Sequence, residues 1–146
     1  MAITSAICNS FKQEILEAEH NFTATTGNTF NLALYTSSAT LGASTTAYSS
    51  TNEITNTSGT AYSAKGKALT SVTPTLDSST AVCDFADVSW TSASFTANGC
   101  LIFNDSHSTD AAVCAIAFGG DKTVSSGTFT IQFPAAAATT AIILIA

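Results

Sequence analysis

The chain has 146 residues with 19 serines and 25 threonines, against only four lysines, ten acidic residues and no arginine. At 10% charged residues and a net charge of −6, it falls far below the roughly 25% usual for soluble domains. Lys12, Lys65, Lys67 and Lys122 are scattered, so no basic patch exists for a phosphate-rich partner and nucleic-acid binding is disfavoured. Without a guanidinium, the planar two-donor recognition of carboxylate or phosphate is also missing. A surface of short hydroxyl side chains suits a building block.

The length fits one domain, 1–146, large enough to bury a core without a staple. Met1-Ala2-Ile3-Thr4-Ser5 carries no secretory pattern, and no apolar stretch approaches the ~20 residues of a membrane span. Synthesis in a cytoplasm and no membrane partner are therefore expected. Cys8, Cys83, Cys100 and Cys114 lack C-x-x-C spacing, so they read as buried, reduced thiols rather than zinc ligands or disulfides. The sequons at Asn21, Asn56 and Asn104 then carry little weight.

Ile3, Ile7, Phe11 and Ile15 recur every four residues and, with Leu16, form one apolar stripe. That spacing predicts a helix within the N-terminal segment 1–20, starting at Ser5 or at Ser10, with Ser10 and Gln13 as a capping box. Residues 21–28 read as a loop. Phe30 to Tyr35 has the period of a strand. Residues 36–66 are dominated by Ser, Thr, Ala and Gly, and are expected to form a long surface excursion anchored at Leu41, Tyr48, Ile54 and Tyr62.

Short strands are expected at Leu69–Thr75, stopped by Pro74, then at 81–85 and 88–90. A longer one follows at 94–104, where Asn98-Gly99 marks a hairpin turn or a bulge. Residues 104–110 form a polar loop, 112–118 a central strand, and Gly119-Gly120-Asp121-Lys122 a turn. Phe129, Ile131 and Phe133 alternate with polar residues until Pro134, and 142–146 close the chain as a last strand. Many short strands after one helix predict a mainly β fold, an antiparallel β-sandwich of jelly-roll or Ig-like type with one N-terminal α-helix; a closed barrel is the alternative.

Few residues offer chemistry. His20 beside Glu17 and Glu19, and His107 beside Asp105 and Asp110, have the composition of a metal or base site, but hydrophilic loops usually leave such groups solvated. Asp84 and Asp87 could act as paired carboxylates on a glycan, yet near a strand end they more often bind backbone N–H groups. Gly119-Gly120-Asp121-Lys122-Thr123 lacks the full phosphate-loop pattern and a following helix. Trp90 with Phe85, Phe95 and Phe103 could stack on sugars, although their alternation favours a core. No catalytic residue, cofactor site or metal site is assigned, and no enzyme is expected.

The segments Ser10–Glu14, Thr29–Leu41, Tyr62–Gly66, Asp84–Trp90, Phe95–Asn104 and Phe118–Lys122 together resemble a family of small virion structural proteins of tailed bacteriophages, including marine and cyanobacterial types. The resemblance covers most of the chain in order, though Asn98 stands where the family has a basic residue. It implies a non-enzymatic capsid decoration (cement) protein on the capsid exterior. Its implied partners are the major capsid protein and further copies of itself, trimers among the options. The 1–20 and 36–66 segments are then the expected contact surfaces. A tail, collar or fibre component and a carbohydrate-binding adsorption module are the alternatives.

Overall fold

The computed structural model describes residues 2–55 and 61–146; the sequon at Asn56 and part of the 36–66 excursion lie outside the described residues. It contains β1 (Ala6–Ile7), α1 (Asn9–Leu16), β2 (Phe30–Tyr35), β3 (Lys67–Ala68), β4 (Ser71–Asp77), β5 (Thr80–Phe85), β6 (Val88–Asn104), β7 (Ala111–Ile131) and β8 (Ile143–Ile145). The strands form two antiparallel sheets, ordered β1-β7-β6-β2-β3 and β4-β5-β8. The expected antiparallel β-sandwich with one N-terminal helix is what the chain forms.

The β6–β7 ribbon is its spine. The expected strands at 88–90 and 94–104 are one strand of 17 residues, and its partner runs for 21. Continuity survives because irregularities are absorbed as bulges, with register shifts between Trp90 and Ala93, Ala93 and Phe95, Ala97 and Gly99, and Ile102 and Phe103. Asn98-Gly99 is thus a bulge and not a hairpin turn. Gly99 is required there, since a Cβ would come within 2.6 Å of the Ile116 carbonyl oxygen and 2.8 Å of the Ile3 side chain. Gly119 and Gly120, expected in a turn that ends the strand, instead take φ of 73° and 138° inside β7. Their left-handed geometry lets the strand bulge and continue.

Two further expectations need correction. Pro74 does not end a strand; it sits inside β4, at the register shift between Val72 and Thr75. β4 is a sheet edge, where a missing N–H donor costs no ladder bond. The helix is also shorter than its apolar stripe. Ile3 bridges to Leu41 and Ile7 pairs with Cys114 in β1, so the four-residue spacing crosses from strand into helix. The helix is capped at Cys8 without a side-chain bond, Gln13 binds Glu17, and Leu16 is 88% exposed, so neither the Ser10 capping box nor a fully buried stripe forms.

Aromatic rings knit the two sheets. Phe22 stacks on Phe30 of β2 at 4.2 Å, and Phe30 meets Phe85 of β5 at 5.9 Å. Trp90 packs with Tyr62 and Phe95. The N-terminal residues belong to this core rather than to a detachable arm, with Ile3, Cys8, Phe11 and His20 all buried. The 36–66 excursion is likewise pinned: Ala39, Glu53, Ile54 and Tyr62 are buried.

Candidate functional site

The structure gathers side chains that the sequence keeps far apart. α1 ends in a Schellman turn: the Glu19 N–H bonds the Glu14 carbonyl at 3.0 Å, and the Ala18 N–H bonds that of Ile15 at 3.4 Å. This turn aims His20 inward, where its Nε2 lies 2.8 Å from Glu14 Oε2 and its Nδ1 lies 3.1 Å from Asn104 Nδ2. Asn104 Oδ1 accepts the Ser106 N–H at 3.0 Å, which fixes the amide orientation. An amide nitrogen only donates, so Nδ1 accepts and the imidazole proton sits on Nε2. Asn104 Nδ2 also reaches Glu19 O at 3.3 Å and Asn28 Oδ1 at 3.2 Å. Asn104 is completely buried, and its amide is engaged as a structural hub.

The two expected histidine clusters therefore exchange partners. His20 pairs with Glu14 rather than Glu17 or Glu19, and Glu19 reaches His107 at 3.4 Å. The two rings stack at 6.3 Å between centroids. Asp105 and Asp110 instead hold Lys65, at 2.9 and 2.8 Å. These bonds, to Asp110 first and Asp105 second, push the Lys65 ammonium above its ordinary range. Among the described residues, no group of three or more His, Cys, Asp or Glu is placed to hold a metal ion.

A second network joins the excursion to the core. Tyr62 Oη accepts the Leu34 N–H at 2.9 Å and lies 2.6 Å from Glu53 Oε1 as donor. Tyr48 Oη donates to Glu53 Oε2 at 2.6 Å, and Tyr35 Oη donates to the Ser49 carbonyl at 2.7 Å. Burial first, and the hydrogen bond to Glu53 second, push the Tyr48 phenol up to about 12 and Tyr62 higher still. Burial also raises Tyr35. These are structural phenols, held neutral. Sequence reasoning missed Glu53; its one signal is an isolated acid between two tyrosines in a stretch otherwise almost free of charge.

The remaining candidates are engaged locally. Asp84 Oδ1 accepts the Phe85 N–H at 2.8 Å, and Asp87 Oδ1 accepts the Phe133 N–H at 2.9 Å. Both carboxylates bind backbone N–H groups, but neither closes a local Asx turn: Asp84 bonds its next neighbour and Asp87 reaches across to the chain just beyond β7. Asp121 accepts from Asn98 Nδ2 at 2.8 Å, within the β7 bulge. Trp90 is 0% exposed, so the aromatic platform of a glycan reading is not at Trp90. The most exposed large apolar residues are aliphatic: Leu16, Val72, Leu76, Leu144 and Ile145. All four cysteines are free and buried. Burial raises Cys8 to about 11 and both Cys83 and Cys114 to about 12, with Cys100 well above its ordinary value.

A groove of about 430 Å³ opens between the α1 end of the sandwich and the β4-β5-β8 sheet. Phe11, Ile15, Phe22, Cys83, Ile143 and Ile145 supply most of its apolar wall, with His20 at one side. Searches of protein-family models, curated proteins and solved structures find no match to this chain. No described helix is long and apolar enough to cross a membrane.

Proposed function

We propose that this chain is a non-enzymatic structural protein of a bacteriophage virion, a decoration protein seated on the major capsid protein at the outside of the head. One observation carries the reading: the ordered series of segments that resembles the virion family, from Thr29–Leu41 through Phe95–Asn104 to Phe118–Lys122. Those segments include most of β2 and β6 and reach into β7, so the resemblance falls on the fold's spine. The chemistry is consistent with it. The carboxylates at Asp84 and Asp87 bind backbone, the phenols of Tyr48 and Tyr62 are locked to Glu53, and Ser and Thr cover the outside. Short hydroxyl side chains lose little rotamer freedom when a surface is immobilised, whereas Lys or Arg lose up to ~2 kcal/mol each.

The test is co-sedimentation of the purified chain with heads from which it has been stripped. Saturable binding at a fixed ratio to the major capsid protein is expected. Binding to isolated tails would favour the collar or fibre assignment, and binding to neither would refute the virion reading. Deleting residues 1–20 is not a clean probe, because it removes the buried Ile3, Cys8, Phe11 and His20.

A further inference from the structure

The groove beside α1 is an uncovered continuation of the core. Its wall is apolar, and its one ionisable imidazole, His20, already has both ring nitrogens engaged. Aliphatic side chains stand at its rim: the lining residue Ile145 is 60% exposed, and Leu76, paired with Ala81 of the wall, is 72% exposed. An apolar groove with exposed aliphatic residues at its rim has the character of a docking surface.

Two observations define what fits. First, β8 is the edge of its sheet, and its outward side has no strand partner among the described residues. A strand added there would set alternate side chains about 5 Å from Ile143 and Ile145, at the mouth of the groove. Second, the surroundings are acidic. Glu17 and Glu19 lie beside the lining residues Ala18 and His20 in the chain, the Glu17 carboxylate bonded by the neutral Gln13 amide and Glu19 reaching His107. The only cation on α1, Lys12, is bonded to Asn9 at 3.2 Å, at the start of the helix. A second copy meeting the first groove to groove would bring two acidic helix ends together.

We infer that the groove and the β8 edge receive an extended aliphatic segment of a different protein, flanked by lysine or arginine. The inference rests on the virion reading only for the partner's identity. It is tested by titrating the full chain with a short synthetic peptide of alternating valine, threonine and isoleucine flanked by lysines, and with its glutamate-flanked counterpart. Methyl NMR signals of Ile15, Ile143 and Ile145 are the readout. The lysine-flanked peptide is expected to shift these methyls and the glutamate-flanked one to bind several-fold more weakly. Ile145→Asp, at an exposed position, should lower affinity at least tenfold, and Glu17→Lys should reverse the charge preference.

Absence of shifts, equal binding of both peptides, or a chain that dimerises in solution until Ile145→Asp is introduced would each overturn the proposal. Heads serve to separate the two claims. A chain that binds the peptide but not heads refutes the virion reading alone, whereas Ile145→Asp binding heads at full strength refutes the groove as the seat.

Discussion

Replacing Asn104 with alanine tests whether the N-terminal segment is locked to the sandwich by one buried amide. The substitution removes Nδ2 contacts to Glu19 O, His20 Nδ1 and Asn28 Oδ1, and the Oδ1 contact from the Ser106 N–H. Two amide hydrogens serve three acceptors, so the loss amounts to two or three net bonds, at about 1 kcal/mol each. Asn28 Oδ1 keeps the Asn21 N–H at 2.7 Å, but His20 Nδ1 is left buried without a donor, which adds about 1 kcal/mol. The expected cost is about 3 kcal/mol, a large share of the roughly 5–15 kcal/mol that stabilises a domain. Urea unfolding followed by fluorescence of Trp90, the single tryptophan and fully buried, reads this directly as a lower midpoint at unchanged slope. Asn98→Ala, whose amide bonds an exposed Asp121, should cost under about 0.5 kcal/mol. A loss below about 1 kcal/mol for Asn104→Ala would refute the hub.

Ala18 occupies the left-handed position of the Schellman turn at φ 60°, where glycine carries no Cβ penalty, so Ala18→Gly should raise stability by about 1 kcal/mol; an unchanged or lower urea midpoint contradicts this. Tyr62→Phe deprives the Leu34 N–H and Glu53 Oε1 of their shared hydroxyl, and an expected loss of about 2–3 kcal/mol is read in the same assay. The alkaline limit follows from the raised phenols and thiols: the unfolded chain ionises at its ordinary values of 9.0 and 10.0 while the fold holds Cys83 and Tyr48 neutral to about 12. Their contribution to stability is therefore complete below about pH 9 and falls as the pH climbs towards 12. Tyrosinate absorbance should rise together with unfolding, and titration near pH 10 in a still-folded chain would contradict it. Finally, a disulfide-exchange reagent should label the four buried thiols only as the chain opens; rapid stoichiometric labelling of the native chain is the opposing result.

Strands were legible from apolar alternation at Phe30–Tyr35 and Phe129–Ile131, although in β2 Ala33 and Tyr35 are buried as well as Phe30, Leu32 and Leu34. What the sequence hides is continuity. A glycine pair or a proline normally breaks a ladder, yet Gly119-Gly120 and Pro74 are carried inside strands by a bulge and by an edge position. The N-terminal stripe misled for a related reason: Ile3 and Ile7 keep a helical spacing to Phe11 while lying on extended chain. Asp84 was readable because its partner is the next backbone N–H, whereas Asp87 bonds Phe133, 46 residues on. His20 with Asn104, and Lys65 with Asp105 and Asp110, are separated by tens of residues, and no local pattern joins them. The groove is equally invisible, since it exists only where α1 and β8 fail to close on one another.

Antibody labelling of intact particles by electron microscopy addresses the structural role most directly. The account predicts regularly spaced label over the outer surface of the head, lost when particles are stripped of this chain and restored when it is added back. Unlabelled particles, with the chain found only free in the lysate, would contradict it.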